Sequence, residues 1–275
     1  MRKLLSAQYA RLMKNKVFWL GIFVMFGMGL YSFLMLYMDN TRYNEHHLFD
    51  DVLLNYVVYI GFCTPIFCSL FSGTEYSDGT IRNKLIVGHT RTSIYCSGWL
   101  ISILAAVFMG LAFLLSYVVF ASLFLGAPKA SVGSMLFWMF VSLFVITAYV
   151  SVFHMLSMLI TKKSTSAVIC LIGLMVLFAL AIMIKGRLDA PEFVQSYSLT
   201  VNGVEMSEPQ PNPRYLQPEA RKVYQFFLEL LPSGQSIQIA SWDVFHPYLL
   251  MLYSAATSAA VTLFGIFSFK KKNIK

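Results

Sequence analysis

Six apolar runs dominate this chain, and each is about as long as a lipid bilayer is thick. They cover residues 17–38, 52–72, 98–126, 133–161, 164–185 and 246–269. A helix of about 20 residues crosses a hydrocarbon core of about 30 Å, so each run predicts one transmembrane helix. The third and fourth are longer, which predicts tilt or projection beyond the lipid. Only 12% of the 275 residues are charged, about half the share usual in a soluble domain. The expected fold class is an all-α integral membrane protein with six transmembrane helices. The first run is too long for the apolar region of a cleaved signal peptide, and no A-x-A-like site follows it.

Lys and Arg set the orientation, because basic residues accumulate on the cytoplasmic side of short loops. With the N-terminus placed inside, 14 of the 21 basic residues fall inside, whereas of the 13 acids only Glu75 and Asp78 do. Both termini are therefore expected in the cytoplasm. The net charge of +8 then reflects topology, and nucleic acid is not expected as a partner.

The same pattern divides the chain. Residues 1–16 place Leu5, Tyr9, Leu12 and Met13 at helical spacing among basic residues. That suits an amphipathic helix in the inner headgroup layer; an ordinary basic flank is the other reading. Residues 17–185 hold five spans, 186–245 an outer segment, 246–269 the last span and 270–275 a basic tail. In the outer segment, alternating runs flank Asn202 and Gly203, a hairpin signal. A proline-rich connector comes next. Then a helix is expected from Pro218, with Val223, Phe226, Phe227, Leu230 and Leu231 as its apolar stripe and Pro232 ending it. Hairpin and helix together predict a small cap resting on the outer face.

The chain carries little chemistry of its own. No G-x-x-x-x-G-K-[ST] phosphate loop, H-E-x-x-H or G-x-S-x-G occurs. Nor does any Asp, Glu, Lys or Arg lie deep in a span, where ion-coupled transporters usually need one. His154 is at depth, and a neutral histidine bonded to a neighbouring helix accounts for it better than a proton site. Glu45, His46, His47 and Asp50 cluster in the first outer loop; solvated side chains explain them better than zinc, and no metal site is expected. Cys63, Cys68, Cys96 and Cys170 read as small membrane-helix residues. With no catalytic set, cofactor or energy source visible, the chain is not expected to be an enzyme, and its function should depend on a partner.

One polar island interrupts the apolar runs on the inner side: "GTEYSDGTIRNKLIVGHTRTSIY", residues 73–95. It is too long for a tight turn. The Asp78–Gly79 step breaks the chain. Thr80 is a candidate cap for a short helix with Ile81, Leu85 and Ile86 on one side and Arg82 and Lys84 on others, and Gly88 ends it. Such a helix fits a groove on another protein or the lipid surface.

These residues resemble the signature loop of ABC-2 type transporter permeases: an acid, Gly-Thr-Ile/Leu, Arg/Lys, Asn, an apolar run, then Gly-x-Ser/Thr-Arg and an aromatic. Here they are Glu75, Gly79, Thr80, Ile81, Arg82, Asn83, Lys84, Leu85, Gly88, Thr90, Arg91 and Tyr95. The resemblance extends to the basic N-terminal helix, the six spans and the helical insertion before the last. It implies that residues 73–97 form the loop that couples to an ATPase, with Asp78 beside the residues just named, and that residues 1–16 are an elbow helix. It also implies two copies of a separate ABC ATPase that uses ATP and Mg, a second permease chain of the same or a related kind, and a bacterial cell membrane. Carbohydrate exporters of the superfamily often have a shorter outer loop. The insert and "LPSGQ", residues 231–235, look more like permeases of antimicrobial-peptide immunity and peptide-toxin export.

A hydrophobic or amphipathic cargo, with a peptide foremost, is thus expected to move outward. The 24 Phe and 15 Met suit adaptable apolar binding, and they equally suit a lipid-facing surface. Pro65 in the second span is a hinge or a static bend. The competing reading is a membrane sensor or scaffold that binds extracellular peptide without moving it; a membrane-embedded enzyme has the least support.

Overall fold

A computed structural model describes residues 2–43, 47–195, 197–200, 203–206 and 208–273, with the backbone alone given for 197–200 and 203–206. The helices are α1 (Arg2–Met13), α2 (Lys16–Arg42), α3 (Tyr56–Ser77), α4 (Thr80–Ile86), α5 (Arg91–Phe124), α6 (Val132–Leu159), α7 (Lys163–Leu188), α8 (Pro218–Leu230), α9 (Pro232–Ala240) and α10 (Pro247–Lys271). A 3₁₀ turn, Phe49–Asn55, leads into α3. Among the described residues, α2, α3 with its 3₁₀ lead-in, α5, α6, α7 and α10 are long and apolar enough to cross a membrane. The protein is an all-α multi-pass membrane protein.

The spans form one bundle. Its basic end carries α1, α4, the α6–α7 junction and the end of α10; the cap end carries the 3₁₀ turn, α8 and α9. α3 is the most enclosed span, and α7 and α10 the least. α3 packs on α2, α5, α6 and α7, and close approach is built into it. A Cβ on Gly61 would lie 2.8 Å from the Tyr149 ring of α6. Phe62 stacks on Phe178 of α7 at 4.6 Å. Pro65 is buried within α3, which stays helical through it.

Several boundaries shift from the sequence reading. α3 continues to Ser77 and α5 starts at Arg91, so the polar island is mostly helix. Its residues satisfy their backbone groups by extending the spans instead of forming loop. α1 buries Leu4, Gln8 and Leu12, while Tyr9 is 43% exposed. The expected stripe is rotated because Gln8 has a buried partner, the Glu75 carboxylate of α3.

The cap differs most. Strands β2 (Tyr197–Thr200) and β3 (Gly203–Met206) pair as a hairpin with Thr200 opposite Gly203; Asn202, expected in its turn, lies outside the described residues. A second rung pairs β1 (Phe193–Val194) with β4 (Gln210–Pro211). α8 leaves Val223, Phe226 and Phe227 exposed and buries Leu228 and Glu229, so much of its apolar stripe is uncovered, with Phe226 edge-on to Tyr253 of α10. Pro232, expected as a stop, begins α9, because proline suits the first helical position as well as it ends the preceding helix. α9 is buried along Pro232–Gln235 and at Ser236, Gln238 and Ile239. It plugs the cap end between the 3₁₀ turn, α3, α6 and α7. A Cβ on Gly234 would lie 2.1 Å from the Leu228 carbonyl oxygen.

Polar groups join the plug to the spans. Ser236 and Tyr149 bond at 2.9 Å, Ser233 donates to the Leu177 carbonyl at 2.7 Å, and Ser254 of α10 donates to Gln235 Oε1 at 2.7 Å. His246 Nδ1 meets the buried Glu229 carboxylate at 2.9 Å. Glu45 and His46 lie outside the described residues. Asp50 accepts the backbone N–H groups of Lys129 and Ala130, each at 2.8 Å, and His47 faces Asp51 at 3.4 Å. Among the described residues no group of three or more metal-ligating side chains gathers. His154 bonds the Tyr95 carbonyl of α5 at 3.2 Å, which makes it a helix-to-helix contact.

Candidate functional site

At the basic end α3 stops where Asp78 and Gly79 donate to the carbonyls of Thr74 and Tyr76. Gly79 takes φ +65° with open space around it; a left-handed residue costs little only as glycine, and it turns the chain into α4. Gly79 is the N-cap, not Thr80. The Thr80 hydroxyl instead donates to the Glu75 carbonyl at 3.1 Å, satisfying a free carbonyl at the end of α3.

α4 ends in a Schellman motif: Gly88, at φ +94°, donates to Leu85, and His89 donates to Lys84. Thr90 then caps α5 through the Ser93 N–H. Two left-handed glycines and one threonine therefore hold a seven-residue helix between two spans. A helix this short would not persist in water unaided.

Burial sorts the candidate residues. Ile81 is 1% exposed and packs with Leu4, Ile94, Tyr95, Met158 and Phe269, with Leu85 beside it. Arg82 and Asn83 are exposed. Ile86 and Val87 are 73% and 77% exposed. The free surface of α4 is thus an apolar tip beside one cation. Two aliphatic side chains left uncovered by a fixed helix are a candidate contact for another protein.

Behind α4 stands Glu75, 4% exposed and met from two other helices. Gln8 of α1 donates to its Oε1 at 2.7 Å. Arg11 of α1 and Lys84 of α4 both ion-pair with the same oxygen. Arg11 also donates to the Phe71 carbonyl and Thr74 Oγ1, each at 2.6 Å, and lies over the Phe71 ring. Burial lowers the pKa of Arg11 and of Lys84; Glu75 opposes that in both. A buried carboxylate is tolerable only when paired and hydrogen-bonded, and here the pairing joins α1, α3 and α4 at one atom.

Arg91 points elsewhere. Its Nη1 donates to the carbonyls of Phe269 and Lys270, each at 3.0 Å, and to that of Lys272. Asp78 is exposed at the turn and accepts from Ser77. The candidate set thus divides into the Glu75–Lys84 pair, Ile81 and Leu85 packed inward, Gly79 and Thr80 at the turn, an outward face with Asp78, Arg82, Asn83 and Gly88, and Arg91 on the last helix. Pro65 lies apart, within the bundle.

Sequence reasoning missed Gln8, Arg11, Ile86 as an exposed residue, and Val87. The i, i+3 spacing of Gln8 and Arg11 on α1 was the available signal. A model of the ABC-2 family transporter protein matches residues 4–182, which covers most of α1, the hub, α4, the first four transmembrane helices and most of the fifth. Among curated proteins none matches the chain.

Proposed function

Because this chain belongs to the ABC-2 family of transporter proteins, as a membrane component and not the ATPase, we propose that it is the permease of an ATP-driven exporter. The basic end faces the cytoplasm of a bacterial cell, where two copies of a separate ATPase dock. A second permease chain completes the unit. The observation that carries this reading is the Ile86–Val87 tip beside Arg82, exposed on a helix that the Glu75 hub holds from behind. The ATPase, with its ATP and Mg, supplies the energy that this sequence has no phosphate loop to draw on. The cargo is hydrophobic or amphipathic, and a peptide fits the likeness of the outer insert to peptide-export permeases. Apolar grooves of about 340 and 350 Å³ beside Phe140 and Leu143 suit an apolar ligand entering sideways.

Copurification tests docking. The wild-type chain should retain its ATPase. Ile86→Asp with Val87→Asp should stay folded and bind it about 30-fold or more weakly, since truncating a central apolar contact costs about 2 kcal/mol or more. A wild-type chain that retains no ATPase, or a double variant that binds as well, would overturn the reading. Transport into inverted vesicles with a panel of amphipathic peptides, lipids and drugs then identifies the cargo. ATP hydrolysis stimulated by peptide that never moves would favour the sensor.

A further inference from the structure

The last span ends in a grip that the coupling signature does not explain. α10 finishes at Lys271, and the final carbonyls of a helix lack partners of their own. Arg91, the first residue of α5, supplies them: its guanidinium converges on the carbonyls of Phe269, Lys270 and Lys272. A cation at a helix C-terminus also complements the dipole. One turn along α5, Tyr95 presses on the same helix. A Cβ on Gly265 would lie 2.1 Å from Tyr95 Oη, and the Tyr95 ring contacts Phe269 and His154.

The tail returns the contact. Lys272 Nζ donates to Tyr76 Oη at 2.9 Å and to the Met158 carbonyl at 3.0 Å, and lies over the Tyr76 ring at 4.2 Å. Tyr76 also donates to the Met158 carbonyl. The ends of α3, α5, α6 and α10 therefore meet at Arg91, Tyr76 and Lys272. Tyr76 adjoins Glu75 of the hub, and Arg91 begins the helix reached from α4 across Val87, Gly88, His89 and Thr90.

We propose that the end of α10 is a latch, and that Arg91 is the positioning residue through which displacement of α4 reaches the last span. The inference rests on the reading that α4 docks an ATPase. Without the guanidinium, the end of α10 keeps only its packing on Ile81 of α4 and Tyr95 of α5 and follows a displacement of α4 less closely.

A fluorophore at Phe264→Cys, an exposed position of α10, in a background without the four native cysteines, reports on the latch in the purified complex with its ATPase. Wild type should change its emission when ATP, Mg and vanadate are added. Arg91→Gln should keep the ATPase bound and lose most of that change, and Arg91→Lys should restore part of it. Lys272→Met, which leaves Arg91 in place, serves as a second variant and should weaken the change. An element that only stabilised the fold would lower Tm and leave the change intact in the folded complex. If Arg91→Gln binds ATPase and responds like wild type, the latch is wrong and docking stands. If wild type binds no ATPase, the docking reading fails and the latch fails with it.

Discussion

Glu75 carries more structural consequence than any other charged residue of the island. Replacing it by Gln removes the common partner of Arg11 and Lys84 and leaves two cations facing each other. Breaking a fully buried pair costs about 3–5 kcal/mol; here the cations keep 27% and 17% exposure, so about 2 kcal/mol is expected. A thermal melt of Glu75→Gln in detergent checks this, with faster proteolysis at residues 78–90 as the local sign. Lys272 gives a second test. Burial lowers its pKa to about 8 from 10.5. Between those values the folded chain binds fewer protons than the unfolded one, so stability rises with pH there and the penalty is complete below about 8. The Tm of wild type minus that of Lys272→Met should therefore increase from about pH 7.5 to about pH 9.5. A flat or falling difference would refute the shift. Neither Glu75 nor Lys272 announces its distant partners in sequence, because Gln8 is 67 residues from Glu75 and Tyr76 is 196 from Lys272.

Among the elements, α4 and α9 were legible to different degrees. The bracketing glycines and the apolar positions of α4 predict a short helix, and that helix is present at Thr80–Ile86. Which apolar residues face inward was not legible, because seven residues are too few for periodicity to average over. α9 was hidden behind Pro232, which can mark a helix end or a helix start; only the packing around residues 233–240 separates the two. Its burial depends on Gly234, where α8 and α9 nearly touch. Gly234→Ala should cost at least about 2 kcal/mol through forced separation of the two helices. Gly27→Ala, where a Cβ meets nothing within 4 Å, should be nearly neutral, so the pair of melts separates packing from a general intolerance of substitution. The direction of the α8 stripe was not legible for a related reason: periodicity finds an apolar face without saying which way it turns.

Across the whole molecule, α3 is the central shaft. It is the most enclosed span, its basic end holds Glu75 and Tyr76, and its cap end packs against α9. Force applied at α4 would therefore enter the middle of the bundle and not its periphery. The topology proposed from charge is testable on intact cells. In a chain lacking the native cysteines, Glu208→Cys in the cap should react with an impermeant maleimide, and Asp78→Cys should react only after lysis. The opposite pattern would invert the orientation and remove the basis for cytoplasmic docking.

Sequence by itself determined the class, the six spans, the position of the polar island and its likeness to one transporter family. These arise from span length, from the exclusion of charge from lipid and from a local motif, all of which act within one stretch of chain. Tertiary structure alone decided that Glu75 is a buried hub, that Ile86 and Val87 form the free tip, that Arg91 grips α10 and that α9 enters the bundle. Each of these depends on which distant backbone lies opposite a side chain, and the balance of burial against pairing is settled only there.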